Sequence, residues 1–220
     1  MSASEDATRL IDAGRRFDEP VAIANVPVYR ASTVLFKSLA EAASAGRASM
    51  AGEHHATSYG TSGTPSTMAL ADALAQIEGA GHACRAALMP SGLSAISTLF
   101  LALLAPGDHL LVPDSVYGPT RNFCDGMLAS YGVSIEYYSP SLGADALALR
   151  LRPNTRMIYL ESPGSYTFEL QDVPAICALA RARGILVAVD NAWASPVFSR
   201  PFDWGVDASV LPLTKYWSGH

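Results

Sequence analysis

The chain has 220 residues, half of them hydrophobic and 16% charged, with a formal net charge of −5. This length suffices to bury a sizeable core. The acidic balance argues against a nucleic-acid partner, because nucleic-acid-binding domains are normally basic. Residues 1–16 are polar and carry both charge signs, so no signal peptide is expected. No later stretch of transmembrane length is free of glycine, proline or charge, so no membrane partner is expected.

The three cysteines, Cys84, Cys124 and Cys177, lie far apart in the sequence. They give neither a disulfide framework nor the spacing of a metal site. We therefore expect buried thiols in a cytoplasmic protein. The pair His54-His55 lacks a suitably spaced third ligand, so a solvated surface pair is expected and no metal site is predicted.

Residues 1–60 show no long periodicity, which predicts an N-terminal arm ahead of a domain over residues 61–220. Packing of this arm on another subunit and packing on its own domain are equally compatible with the sequence. Within the arm, residues 26–29 are predicted to be extended, and residues 36–41 begin a short helix. A loop rich in glycine and hydroxyl groups then precedes a helix predicted over residues 67–79.

From residue 86 onwards, short apolar runs alternate with helical patterns. Strands are predicted at residues 86–89, 109–112, 134–138, 157–160, 185–189 and 208–211. Helices are predicted at residues 95–104, 117–131, 144–151 and 173–183. This alternation is typical of a mostly parallel sheet covered by helices on both faces, a three-layer α/β/α domain.

Ligands of such sheets bind where the strands end, and Gly92, Tyr117, Asp190 and Lys215 all follow predicted strands at that edge. A carboxylate after one strand and a lysine after the next are the pair that a pyridoxal phosphate (PLP) site needs. A lone lysine near a strand end usually extends to the surface. With Asp190 upstream, we instead expect Lys215 to be poorly solvated and nucleophilic.

The segments Val189-Asp190-Asn191 and Thr214-Lys215-Tyr216-x-x-Gly219-His220 resemble the Cys/Met metabolism family of PLP-dependent enzymes, which includes cystathionine lyases and synthases. The resemblance runs over essentially the whole chain. It implies the large domain of the aspartate aminotransferase-like fold, known as fold type I. It also implies a further C-terminal domain of about 150 or more residues, so the sequence is expected to be a fragment.

The resemblance implies a role for each residue at the predicted edge. Lys215 would form the Schiff base with the cofactor and then act as a base, while Asp190 would pair with the pyridine nitrogen. Tyr117 would stack on the ring and take part in proton transfer at the sulfur leaving group.

The phosphate of the cofactor is implied to bind to the backbone of Gly92 and Leu93 and to Thr214. The family's Tyr-Gly-Arg loop reaches the cofactor of the neighbouring subunit, and Tyr59 matches its tyrosine. The arginine of that loop is replaced here by Thr61, so a bidentate clamp on the phosphate would be missing. Pro212 also stands where many relatives have a phosphate-binding serine.

The loop Glu161-Ser162-Pro163-Gly164-Ser165 resembles the bacterial cystathionine beta-lyase branch of the family. This branch implies β-elimination from cystathionine or a related cysteine S-conjugate, which gives a thiol, pyruvate and ammonia. Another activity of the family, such as a γ-synthase, γ-lyase or desulfhydrase, is the alternative. A third possibility is a non-catalytic fragment that only oligomerises. The expected partners are an amino-acid substrate and further copies of the chain, in a dimer of dimers with active sites at subunit interfaces.

Overall fold

The computed structural model describes residues 3–15, 23–53 and 55–218. The chain forms two compact units, Met1–Leu88 and Met89–His220. The first unit contains helix α1 (Ala3–Asp12), helix α2 (Leu39–Met50), a 3₁₀ turn (Gly60–Ser62) and helix α3 (Pro65–Gly79). Helix α1 was not predicted from the sequence.

Local side-chain caps explain where the helices of the first unit begin. The hydroxyl of Ser38 accepts the Glu41 N–H at 3.1 Å, so α2 starts at Leu39, inside the region where a short helix was predicted. Thr64 and Thr67 form a reciprocal capping box ahead of α3, with a proline in its first turn. Helix α3 therefore begins two residues before the predicted start. The predicted arm over residues 1–60 stays a prediction, because a contact to another subunit involves a second chain.

The second unit is built on a five-stranded sheet in which every pairing is parallel. Its strands are β1 (His109–Pro113), β2 (Ser134–Tyr138), β3 (Thr155–Glu161), β4 (Leu186–Asp190) and β5 (Ala208–Val210). They lie in the order β2-β1-β3-β4-β5. Strand β1 is buried at every residue and β3 at every residue except Arg156, as expected of parallel strands that are covered on both sides.

One helix precedes the first strand of this sheet, and further helical segments connect successive strands. They are α4 (Gly92–Leu103), α5 (Gly118–Phe123), a π-helical segment (Cys124–Leu128), α6 (Ala144–Ala148), α7 (Val173–Ala182), α8 (Ser195–Phe198) and α9 (Pro201–Trp204). Within the part of the chain that the structure describes, no helix has the length and apolarity that crossing a membrane requires.

Alternate strand residues pack into two separate cores, which confirms the predicted three-layer architecture. One core joins Met157 and Tyr159 of β3 to α4, α5 and the π-helical segment. The other joins Ile158 and Leu160 of the same strand to α6 and α7. The period of two along each strand therefore places a helical layer on each face of the sheet.

One prediction about local structure was wrong. Residues 86–89 form no strand, and all but Ala86 are exposed. A short apolar run becomes a strand only where a neighbouring strand supplies hydrogen bonds, and this requirement is not local. The helix predicted over residues 117–131 begins at Gly118 and contains the π-helical segment Cys124–Leu128. The other strands and helices predicted for this unit are present, with bounds that differ by a few residues.

Candidate cofactor site

The carboxyl ends of three adjacent strands meet at one edge of the sheet. Glu161 at the end of β3 pairs in register with Asp190 at the end of β4, and Asp190 pairs with Val210 at the end of β5. The backbone N–H of Asn191 donates to the Val210 carbonyl at 3.0 Å and extends this ladder by one bond. The edge thus carries two carboxyl groups on neighbouring strands.

Asp190 is buried, with 7% of its surface exposed. Among the described residues, its carboxylate has one hydrogen-bond partner, the Ala192 N–H, which lies 3.0 Å from Oδ1. Loss of water raises the pKa of Asp190 to about 7, and the neighbouring Glu161 adds to this rise. A buried carboxylate without a cationic partner fits a protonated pyridine nitrogen, which would supply both a positive charge and an N–H donor.

The first turn of α4 lies beside the segment that leads to Lys215. Ser91 caps the helix by accepting the Ser94 N–H at 3.1 Å. A Cβ placed on Gly92 would be 3.1 Å from the Cβ of Pro212, so a glycine gives the helix room to approach this segment. The N-terminus of a twelve-residue helix favours an anion. The backbone of Gly92 and Leu93 therefore fits a phosphate group.

Lys215 lies in an exposed turn five residues beyond the end of β5. Its backbone N–H donates to the Pro212 carbonyl at 3.0 Å. The expectation of a poorly solvated lysine at a buried strand end was therefore wrong for this structure. The ladder stops at Val210, and Pro212 has no N–H with which to extend it. Thr214 shares the exposed turn.

Tyr117 precedes the first residue of α5, and 44% of its surface is exposed. Its backbone N–H donates to Glu161 Oε2 at 2.8 Å. Tyr117 therefore lies at the same edge as Asp190, as the sequence predicted. Its ring is free of the two cores and available to a ligand.

Glu161 is the residue at this edge that sequence reasoning missed. It was quoted only as part of a loop that resembles a branch of the family. Like Asp190, it is a carboxyl group that ends a buried apolar strand, so the same signal could have found it. Burial raises its pKa, while hydrogen bonds from the Ser165 hydroxyl and the Tyr117 N–H oppose the rise.

An aromatic group flanks Lys215. The ring of Trp193, which follows β4, lies 5.1 Å from the ring of Phe168 in an edge-to-face contact. It also lies 6.1 Å from the ring of Tyr216. Trp193 therefore contacts the residue that follows Lys215.

Other residues named from the sequence lie in the first unit or outside the described ranges. Tyr59 and Thr61 are both exposed in the first unit. His55 lies 3.0 Å from Asp72, and His54 lies outside the described residues. Over residues 3–15, 23–53 and 55–218, no three His, Cys, Asp or Glu side chains gather in a way that could hold a metal ion.

Comparison with known proteins decides the family. The sequence model described as Cys/Met metabolism PLP-dependent enzyme matches residues 7–220. The chain belongs to this family. Its cofactor is accordingly PLP, and its parallel sheet with two helical layers is that of a fold type I large domain.

Several relatives carry the name cystathionine beta-lyase. That of Bordetella avium is 40% identical over 92% of this chain and 50% of its own length. An L-alanine/L-glutamate racemase from Wolbachia pipientis is 35% identical over 96% of this chain and 52% of its own length. The chain thus spans about half the length of the curated relatives it matches.

A solved structure agrees with the fold. Cystathionine gamma-lyase from Lactobacillus plantarum, complexed with L-serine, superposes with a TM-score of 0.84 at 30% sequence identity. The match covers 98% of this chain and 52% of that protein.

Proposed function

We propose that the protein is a PLP-dependent carbon–sulfur lyase that cleaves cystathionine or a related cysteine S-conjugate by β-elimination. The observation that carries this proposal is the buried carboxyl group of Asp190, which has no cationic partner among the described residues and lies beside the strand that leads to Lys215. The names of the relatives support the choice of a lyase, and that of the Bordetella avium protein supports cystathionine as the substrate.

Bound PLP supplies a conjugated ring that takes up the electrons left at the substrate α-carbon. Asp190 would accept a hydrogen bond from the pyridine nitrogen and would keep the proton on the ring. Burial favours this role, because a charge pair is stronger where water is excluded. The Ala192 N–H fixes one oxygen of the carboxylate and leaves the other for the ring.

The chain's own groups then bind and move protons. The Lys215 amine would hold the cofactor and would serve as the base for the substrate α-proton. The exposed Tyr117 ring would stack on the cofactor, and its hydroxyl would donate a proton to the departing sulfur. The N–H groups of Gly92 and Leu93 and the hydroxyl of Thr214 hold the phosphate.

We also propose that the protein is a cytoplasmic homo-oligomer. Residues 1–60 would form an arm that contacts another subunit, and residues 61–220 would form the cofactor-binding domain. Tyr59 would then reach the cofactor of the neighbouring subunit. Because Thr61 replaces the arginine of the family's loop, this contact would hold the phosphate with a hydroxyl rather than with a guanidinium.

Identification of the keto acid tests the reaction. The purified protein is loaded with PLP and supplied with cystathionine. β-Elimination gives pyruvate, ammonia and homocysteine in equal amounts. Formation of 2-oxobutyrate would instead show γ-elimination, and absence of turnover with bound cofactor would favour a non-catalytic role.

A racemase is the second candidate, because a racemase is among the relatives. Both reactions begin with removal of the α-proton, but a racemase returns a proton to the opposite face and releases no keto acid. Incubation with L-alanine separates the two. D-alanine without pyruvate would identify a racemase, whereas pyruvate from cystathionine with unchanged L-alanine supports the lyase.

A further inference from the structure

Two buried carboxyl groups lie side by side at the cofactor edge. Glu161 and Asp190 are register partners on adjacent parallel strands and have 2% and 7% of their surfaces exposed. Tyr159 and Ala188, two residues earlier on the same strands, pack into the core that faces α4 and α5. Because side chains alternate along a strand, Glu161 and Asp190 project toward that same face.

This arrangement is costly without a cation. Like charges directly opposite each other destabilise a sheet, and exclusion of water strengthens their repulsion. Across the described residues, no Lys or Arg side chain pairs with either carboxyl group. The Tyr159 hydroxyl lies near both carboxyl groups, and burial, reinforced by the two carboxylates, raises its pKa.

Glu161 also fastens three segments together. Its Oε2 accepts the Tyr117 N–H at 2.8 Å, and its Oε1 accepts the Ser165 hydroxyl. Its own backbone N–H donates to Gln171 Oε1 at 3.2 Å. The side chain thus joins the end of β3 to the residue that opens α5 and to the loop after β3.

We propose that Glu161 is a positioning residue of the cofactor site. It ties the Tyr117 backbone to the sheet edge and adds a second negative charge beside Asp190, so that the two carboxylates together bind one pyridinium. This inference rests on cofactor binding at Asp190, as the proposed function does, but it is independent of which substrate is cleaved.

Two substitutions separate the effect of the Glu161 charge from the effect of its side-chain length. Glu161→Gln keeps the shape and removes the charge, while Glu161→Asp keeps the charge and is too short by one methylene to hold the Tyr117 N–H. The readouts are the pH midpoint at which the visible absorbance of bound PLP changes and the Kd of PLP for the stripped protein. Loss of the charge should move the midpoint of E161Q down by about one pH unit and weaken PLP binding about tenfold. E161D should keep its midpoint within about 0.3 unit and still bind PLP more weakly.

Two control substitutions test whether a change in these readouts comes from the charge of Glu161 itself. Ser165→Ala removes one hydrogen bond and keeps the charge, so its midpoint should match that of the wild type. Glu53→Gln removes an exposed charge in the first unit and should change neither readout. An E161Q protein with wild-type midpoint and affinity would overturn the inference and leave the proposed function standing. If E161Q does not fold, wild-type affinity in E161D would overturn it. A wild-type protein that binds no PLP would overturn the cofactor site itself.

Discussion

Replacing Asp190 with asparagine should stabilise the cofactor-free protein while weakening cofactor binding. The pKa of Asp190 is raised from 3.8 to about 7, chiefly by burial. A carboxyl group with a raised pKa contributes its full stability only below the unfolded value, and this contribution is lost as the pH rises through the folded value. The difference between the folded and unfolded pKa values of Asp190 lowers the free energy of unfolding by about 4 kcal/mol at pH 8. About 3 kcal/mol of this loss occurs between pH 5 and pH 8. The asparagine side chain is neutral at every pH and escapes this loss.

Urea denaturation of the stripped wild-type and D190N proteins at pH 5, 6, 7 and 8 measures this effect. The free energy of unfolding of D190N minus that of the wild type should increase by about 3 kcal/mol from pH 5 to pH 8. Asp145→Asn, which neutralises an exposed aspartate in the first turn of α6, is the matched control and should follow the wild type. Parallel curves for D190N and the wild type would show that Asp190 is not a strained buried carboxyl group, and the argument from its environment would fail.

Three further substitutions test other parts of the site. Gly92→Ala places a Cβ 3.1 Å from that of Pro212 and should weaken PLP binding about fivefold by moving the first turn of α4. Unchanged PLP affinity in a fluorescence titration would contradict this contact. Tyr117→Phe should lower kcat about 100-fold at unchanged PLP affinity, because only the proton donor is lost, and a wild-type kcat would remove the hydroxyl from the mechanism. Ser91→Ala removes the cap of α4 and should cost about 1 kcal/mol in urea denaturation; an equal free energy of unfolding would show that the cap contributes nothing.

The fold could be predicted because its signals are local. Most strands of the sheet are short apolar runs, and Asp190 was found because a carboxyl group ends such a run. Residues 86–89 carry the same signal but form no strand, since pairing depends on distant segments.

The chemistry of the site was only partly predictable. The resemblance of Lys215 and Asp190 to a known pair of residues identified the edge of the sheet where the cofactor would bind. The exposure of Lys215, in contrast, depends on where the hydrogen bonds between β4 and β5 end. The contact between Glu161 and the Tyr117 backbone joins residues 44 positions apart, and no pattern within either segment encodes it.

The central claim is that Lys215 carries the cofactor covalently, and the sequence offers a direct test because it contains only two lysines, Lys37 and Lys215. The protein loaded with PLP is reduced with borohydride and digested, and the modified lysine is located by mass spectrometry. We expect the pyridoxyl group on the peptide that contains Lys215. We also expect Lys215→Ala to lose the absorbance at about 420 nm that Lys37→Ala retains. A pyridoxyl group on Lys37 alone, or full absorbance in the Lys215→Ala protein, would contradict the account.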